Sequence, residues 1–341
     1  MSRLSRWGSV LCLAAPLLLH PGTRAQAADT VDTAAAKQEG TVVWYTSTPI
    51  ATANKIAKQF EESTGVHVEL FRSGGSAILR RFMQELQGGK AAADVLTTSD
   101  PAATEALARK GTFVVFKPEN FDKVPDGAKD PNGAFVAQRL NMIAIVARKD
   151  KLSESDIPKT WSDLVDPKYK GKLVTTDPSF TALGLMTVAT LSKKLTWDYY
   201  KKLRGNDTMV VPGNQQVSDM LKSGERLVAA GVLDSYAAED RKKGHPLLTI
   251  YPSEGALIIP SPTAVIKGSP HPNAAKLFAQ YMLSDAAQKL FPEDGGYAAR
   301  TDMPPPADSP RLSDVKSIPV NYEEIEKDSA RVKRQFNEIF Q

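Results

Sequence analysis

The sequence predicts an α/β protein with a mostly parallel sheet, and a feature repeated three times in its first third supports this. Short apolar runs at 41–45, 66–71 and 93–96 each end at a cluster of Ser, Thr and Gly, after which a helix pattern begins. Strands that alternate with helices through short loops lie side by side in parallel, so their carboxyl ends meet at one edge of the sheet. Open α/β sheets hold their ligands at that edge.

Apolar residues at helical spacing define the helices of this first unit. Ile50, Ala53, Ala57 and Phe60 lie on one helix face, and Gly65 follows as a stop. The same spacing predicts a second helix over 78–86 and a third over 102–110, each followed by glycine. The strand-helix order therefore repeats three times, as a parallel sheet requires.

A second unit begins near Val136. Its segment 140–146 is almost continuously apolar, which is typical of a strand buried on both faces. Further strands are predicted at 173–176, 209–211, 227–233, 247–251 and 255–259, with helices from 182 and over 216–222.

From Ala264 the pattern changes again. A strong helix is predicted over 273–283, followed by a proline-rich extended segment at 304–310. Val332, Phe336 and Ile339 mark a final helix.

The first 27 residues have the features of a secretory signal peptide. Arg3 and Arg6 give a positive start, the apolar stretch 7–19 is too short to span a bilayer, and 25–27 is an A-x-A cleavage signal. We expect cleavage after Ala27 and an exported mature chain that does not span a membrane.

Charge and cysteine content exclude several classes of protein. The chain has 43 Lys and Arg against 39 Asp and Glu; the leader holds three of the arginines and no acid, which leaves 40 against 39, or a net +1. A nearly neutral chain argues against general nucleic-acid binding. The one cysteine, Cys12, lies in the leader, so we expect no disulfide, thiol nucleophile or thiolate metal site.

Several sequence blocks resemble a known family. They read TWSDL at 160–164, DPKYKGK at 166–172, PSEGA at 252–256, AVIKG at 264–268, HPNAAKLF at 271–278 and LS at 283–284. As an ordered set they resemble the family 1 extracellular solute-binding proteins of bacterial ABC importers, in the branch that includes ferric-ion-binding proteins. The resemblance runs from about Glu39 to about Phe291.

This resemblance implies a periplasmic binding protein of type II, in which two lobes with a mixed sheet each are joined by crossover strands. Segments 140–146 and 255–259 are the expected crossovers. The implied boundaries are a signal peptide at 1–27, an N-terminal lobe at 38–138 plus 263–300, a C-terminal lobe at 139–262, and a C-terminal wrap and helix at 301–341. The implied partners are a small ligand and an ABC permease in the inner membrane, and we expect a monomer without a cofactor.

The sequence contains no G-x-S-x-G, H-E-x-x-H, P-loop or G-x-G-x-x-G motif. We therefore expect a binding protein and no enzyme. An exported hydrolase with scattered catalytic residues, or a lobe that delivers its ligand to a sensor, is the alternative.

The ferric-ion-binding relatives hold iron with a His after the first strand, a Glu after the third and two adjacent Tyr in the second lobe. Here 45–49 contains no His, Ser99 stands where the Glu is expected, and only Tyr236 remains of the Tyr pair. The pair Tyr199 and Tyr200 lies in a predicted helix, where neighbours point about 100° apart, so packing is its expected role. No metal site is predicted; if iron binds after all, Tyr236 is the expected ligand.

The anion contacts of the family are better kept, because Ser179 and Thr181 precede a helix that begins at Ala182, and Asn214 precedes another. Arg72 adds a possible bidentate charge contact. The predicted ligand contacts are Ser47, Thr48, Arg72, Ser73, Gly74, Gly75, Ser76, Thr98, Ser99, Ser179, Thr181, Ala182, Asn214 and Tyr236.

These contacts lead to the hypothesis of a small anionic ligand: a carboxylate, phosphonate or phosphate ester. Ferric iron with a synergistic anion is the alternative. Taken singly, each of Ser47, Ser73, Ser76 and Ser99 is better explained as a helix cap. Three consecutive strand ends with the same pattern favour a site. Arg139 and Asn141, beside the first crossover, are further candidates.

Overall fold

The computed structural model describes residues 28–341, and the predicted signal peptide lies outside them. The strands are β1 Thr41–Thr46, β2 His67–Arg72, β3 Val95–Thr97, β4 Val136–Arg148, β5 Leu173–Thr176, β6 Met209–Val211, β7 Val228–Leu233, β8 Leu247–Ile250, β9 Leu257–Val265 and β10 Tyr297–Ala298. The α-helices are α1 Thr33–Glu39, α2 Ile50–Thr64, α3 Gly75–Gln87, α4 Pro101–Arg109, α5 Ala182–Gly205, α6 Asn214–Ser223, α7 Asp234–Lys242, α8 Pro272–Tyr281, α9 Asp285–Glu293 and α10 Tyr322–Phe340.

The strands of the described residues form one continuous mixed sheet in the order β2-β1-β3-β9-β4-β7-β5-β6, with β8 and β10 also paired to β4. Its two ends are parallel: β1 pairs with β2 and β3, and β5 pairs with β6 and β7. These ends are the sheets of two lobes, as the predicted type II fold requires.

The long strands β4 and β9 join the lobes. They pair antiparallel from Val136 opposite Thr263 to Ile143 opposite Leu257, and β4 then continues alongside β7 and β8. Both predicted crossovers fall on these strands, although the second begins at Leu257 and runs on to Val265, beyond the predicted 255–259. Gly255 lies just before it with φ +120°, and a Cβ added there would lie 3.0 Å from the Ser317 backbone, so both the angle and the close approach favour glycine.

Each lobe has its own apolar core. In the first lobe α1, α2 and α8 cover one face of the sheet, where Trp44, Phe60 and Phe278 pack edge to face, and α3 and α4 cover the other. The core of the second lobe includes Tyr199 and Tyr200, whose rings meet edge to face at 5.1 Å. This pair therefore packs in the core, as the sequence predicts.

The end of the chain contacts both lobes. The segment before α10 passes the second crossover, where Ala256 N–H donates to the Lys316 carbonyl. Helix α10 then packs on α5, and its Glu326 lies 3.7 Å from Arg109 at the end of α4. No helix within residues 28–341 combines the length and apolar character needed to cross a bilayer.

Candidate ligand-binding cleft between the lobes

A cavity of about 400 Å³ lies between the two lobes at the carboxyl ends of their strands. Its first-lobe wall comes from the loops after β1, β2 and β3, and its second-lobe wall from the loops before α5, α6 and α7. The lining residues are Ser47, Pro49, Arg72, Ser73, Gly74, Gly75, Ala77, Ser99, Arg139, Phe180, Thr181, Ala182, Leu183, Pro212, Gly213, Asn214, Gln215, Gln216, Leu233 and Tyr236.

Ten of the predicted contacts line this cavity, and four do not. Thr48 is buried and accepts a hydrogen bond from Gln138 at 2.6 Å. The hydroxyls of Ser76 and Thr98 are buried outside the lining, and Ser179 N–H turns back to the Asp177 carboxylate. Each of these four residues is adjacent in the chain to a residue that does line the cavity: Ser47, Gly75, Ser99 and Phe180.

The helix-cap explanation of the strand-end serines is wrong. The residues in the N-cap positions of α2, α3 and α4 are Pro49, Gly74 and Asp100. Ser47, Ser73 and Ser99 therefore lie in the loops that precede the helices and line the cavity. Ser47 N–H donates to the Thr97 carbonyl at 3.0 Å, which fixes the first loop against the third strand.

A chain of polar side chains runs from the crossovers to the cavity wall. Asn141 donates to Ser261 at 2.9 Å, the Ser261 and Ser99 hydroxyls are 2.9 Å apart, and the Ser99 and Ser47 hydroxyls are 3.2 Å apart. The Ser99 N–H also donates to the Ser47 hydroxyl at 3.0 Å. The crossover strands thereby position the hydroxyls of the first-lobe wall.

Two arginines give the cavity its positive charge. Arg139, on the first crossover, is buried, and burial lowers the pKa of its guanidinium to about 10. Its Nε has no hydrogen-bond partner among the described residues. Arg72 is exposed at the mouth, where its Nε donates to the Thr48 carbonyl at 3.0 Å. Within residues 28–341 neither forms an ion pair, unlike Arg148 and Arg300.

Tyr236 stands opposite these arginines on the second-lobe wall. Burial raises the pKa of its phenol, while Arg72 and Arg139 act in the other direction. The phenol is therefore neutral near pH 7 and has a proton to donate.

Three helices direct their N-termini at the cavity without a side-chain cap. The cap positions of α3, α5 and α6 are Gly74, Thr181 and Gly213, and none of them makes a side-chain hydrogen bond to the helix. The first N–H groups of a helix are orphan donors with a partial positive charge. Asn214, the first residue of α6, uses its Oδ1 to accept from Leu233 N–H at 3.0 Å instead.

The two walls touch where α3 and α5 begin. A Cβ added to Gly75 would lie 3.2 Å from the Ala182 Cβ, and one added to Gly74 would lie 3.1 Å from the Phe180 carbonyl oxygen. Glycine at both positions lets the lobes approach this closely.

Sequence reasoning gave Arg139 only a minor place, although it is the most buried charge in the cavity. The feature that could have identified Arg139 is its position, because it is a charged residue in a strand, β4, of which every residue is buried. Pro49, Phe180, Leu183 and the segment 212–213 were missed, together with Gln215, Gln216 and Leu233. Among residues 28–341 no group of three or more His, Cys, Asp or Glu side chains is placed to hold a metal ion.

The family model described as "Bacterial extracellular solute-binding protein" matches residues 90–328, well over half of the chain. The chain therefore belongs to this family of solute-binding proteins and is not an enzyme.

Two relatives and one solved structure carry more specific names. A Salmonella typhimurium protein named "Putative 2-aminoethylphosphonate-binding periplasmic protein" is 25% identical over 283 residues, 78% of this chain and 81% of that protein. The "Fe(3+)-binding periplasmic protein" of Serratia marcescens is 22% identical over 326 residues, 93% of this chain and 92% of that protein. The structure of AfuA from Actinobacillus pleuropneumoniae with fructose-6-phosphate has a TM-score of 0.77 at 22% identity, covering 88% of this chain and 97% of that one. This last likeness shows the fold.

Proposed function

We propose that the protein binds a small organic anion, a phosphonate or phosphate ester, in the periplasm and delivers it to an ABC permease of the inner membrane. One observation carries this proposal: two arginines without a carboxylate partner and three uncapped helix N-termini converge on one interlobe cavity. The names of the Salmonella relative and of the AfuA complex fit the same ligand chemistry.

The energetic argument rests on Arg139. A buried guanidinium without a partner is costly, because it has lost its hydration and gained no opposite charge. An anion in the cavity supplies that charge, and charge-assisted hydrogen bonds to Arg are among the stronger ones in proteins. The same positive charge opposes Fe(III) unless an anion binds with it.

Binding is proposed to favour closure of the lobes. Ligand contacts come from both walls, so the ligand stabilises the arrangement in which the walls are close, by its difference in affinity for the two states. The permease then recognises the closed protein. Small-angle scattering should give a smaller radius of gyration at saturating ligand, and light scattering should give the mass of a monomer.

A thermal-shift screen tests the proposal, because a ligand of the folded state raises the melting temperature. The probes are 2-aminoethylphosphonate, fructose 6-phosphate, inorganic phosphate, citrate, and ferric chloride with and without citrate. We expect a phosphonate or phosphate ester to give the largest shift. A shift confined to the ferric samples, with a visible tyrosine-to-iron absorption band, would replace the proposal by the iron alternative and make Tyr236 the first candidate ligand.

A further inference from the structure

We propose that the cavity offers its ligand hydrogen-bond donors and no carboxylate acceptor, so that it favours a tetrahedral oxyanion without an acidic proton. This rests on the proposed function and narrows its ligand to a fully ionised phosphonate, phosphate monoester or sulfonate.

The amide of Asn141 determines the direction of the first hydrogen bond in the chain of hydroxyls. Its Nδ2 donates to the Ile259 carbonyl at 2.7 Å, and a carbonyl can only accept, so the amide orientation is determined. The same nitrogen donates to the Ser261 hydroxyl. Ser261 is fully buried, and its proton has the Ser99 oxygen as its partner at 2.9 Å.

The relay then continues to the cavity wall. Ser99, which accepts from Ser261, turns its own proton to Ser47, and Ser47 also accepts from the Ser99 N–H. A hydroxyl oxygen has two acceptor positions, and both of these are now filled. Ser47 is left with its own proton, which it can give only to a group in the cavity.

Most of the other polar groups also face the cavity as donors, and the hydroxyls of Ser73 and Thr181 can donate or accept. The Oδ1 of Asn214 accepts from Leu233 N–H, which leaves its NH₂ group as a donor, and the Tyr236 phenol keeps a proton to donate because burial raises its pKa. The guanidinium groups and backbone N–H groups can only donate. Gln215 and Gln216 also line the cavity, and both are exposed.

None of the described residues that line the cavity is Asp or Glu. The nearest carboxylates, Glu239 and Asp294, line a separate space of about 20 Å³ on the other side of Arg139 and Tyr236. Both are engaged there, Glu239 with Lys243 at 2.6 Å and Asp294 with Lys55 and the Thr52 hydroxyl. The acidic O–H of a protonated phosphonate or phosphate would therefore find no carboxylate in the cavity to accept its proton.

The test uses a matched pair of probes, 2-aminoethylphosphonate and 2-aminoethanesulfonate, with fructose 6-phosphate as a phosphate ester. The sulfonate has the same carbon chain and no acidic proton, whereas a phosphate monoester takes up a proton near about pH 6. Calorimetric titration from about pH 5 to about pH 8 should show the phosphonate or phosphate ester weakening about tenfold per pH unit below its second ionisation. The sulfonate should bind more weakly, with a dissociation constant that does not change with pH.

Two buried-hydroxyl variants test the relay itself. Ser261→Ala removes the donor to Ser99, so the Ser47 proton can turn inward and its oxygen can accept from a protonated ligand. We expect a three- to tenfold loss of affinity near pH 8 and a shallower pH dependence. Thr263→Val is the control, because it removes a buried hydroxyl of the same strand that pairs with Thr97 away from the cavity at 2.9 Å.

The outcomes separate the two proposals. A phosphonate or phosphate ester that binds equally well at both ends of the pH range overturns this inference and leaves the proposed function standing, as does complete rejection of the sulfonate. Equal effects of Ser261→Ala and Thr263→Val overturn the relay. No binding of any of the three probes at any pH overturns the proposed function together with this inference.

Discussion

The helices that begin at the cleft and the helices that begin elsewhere differ in how their first turns are satisfied. At the cleft, α2, α3, α5, α6 and α7 have no side-chain cap, and the residues in their cap positions are Pro49, Gly74, Thr181, Gly213 and Leu233. Away from it, α1, α9 and α10 are capped by Asp32, Ser284 and Asn321. Helix α4 begins directly after Ser99 and is capped by Asp100, which does not line the cavity. Helix α8 receives the Glu39 carboxylate instead, which accepts from Asn273 and Ala274 N–H.

The difference shows how one chain treats the same backbone groups in two ways. A side-chain cap stabilises a helix by about 1 kcal/mol, and the helices that do not line the cavity have this stabilisation. At the cleft the same N–H groups stay available, and Arg139 is left without a partner in the same place. The cleft is therefore the region where stability is lower than the chain could achieve, as expected of a binding site.

Replacing Arg139 should have the largest effect. In Arg139→Met, the ligand loses charge-assisted hydrogen bonds that are worth about 1.5–3 kcal/mol, so we expect an affinity loss of about 10- to 100-fold. The unliganded variant should melt at a higher temperature, because an apolar side chain of similar length replaces a buried charge. Calorimetry measures the change in affinity, and thermal melts measure the change in melting temperature. The control Arg80→Met, on the exposed face of α3, should change neither quantity. Unchanged affinity in Arg139→Met would contradict the central role of this residue.

Closing the space between the walls should have the next largest effect. In Gly75→Ala the new Cβ meets the Ala182 Cβ at 3.2 Å and the Thr98 hydroxyl at 3.3 Å, so the lobes must separate slightly to accommodate it. Overpacked contacts cost about 1–3 kcal/mol, and we expect about a tenfold loss of affinity. Gly127→Ala is the control, since nothing lies within 4 Å of its added Cβ. Scattering should show a larger radius of gyration at saturating ligand in Gly75→Ala alone.

The helix-cap comparison can be tested directly with a pair of variants. Gly213→Ser adds a cap at the cleft, where the new Cβ meets only the flexible end of Gln216 at 3.2 Å. It should stabilise the protein by a few tenths of a kcal/mol and weaken binding a few-fold, because the hydroxyl competes with the ligand for N–H groups. Ser284→Ala should lower stability by about 1 kcal/mol and leave affinity unchanged. If both variants moved affinity alike, the distinction between the two groups of helices would fail.

The sequence predicts the strand ends of this site better than the side chains at them. Apolar runs and helical spacing locate the loops after β1, β2 and β3 to within about two residues. Whether Ser47 or Thr48, and Ser99 or Thr98, faces the cavity depends on the last residue of each strand. Neighbouring strand residues point to opposite faces. An error of one residue in the end of the strand therefore assigns a buried side chain to the cavity wall, or a wall side chain to the interior.

Arg139 and the second-lobe wall were harder to predict for a different reason. Local patterns describe one lobe at a time, whereas the cavity depends on how β4 and β9 set one lobe against the other. Gly213 and Phe180 line the cavity only through that arrangement. The hydroxyl relay, likewise, joins residues more than 150 positions apart, from Ser99 to Ser261.

The smallest effect on affinity is expected from Asp234, which begins α7 beside the cleft but does not line the cavity. Burial raises the pKa of its carboxyl to about 8, and Arg241 only partly opposes this. Because the folded pKa is above the unfolded one, near about 3.9, the protein is stabilised most below the unfolded value and loses that stability as the pH rises towards about 8. Asp234→Asn should remove this slope, so its melting temperature relative to the parent should rise between about pH 5 and about pH 8.

Asp150→Asn is the control, because Arg148 lowers the pKa of Asp150 to about 2 and its titration lies below that range. An equal slope in Asp234→Asn and in the parent would mean that Asp234 is ionised in the folded protein.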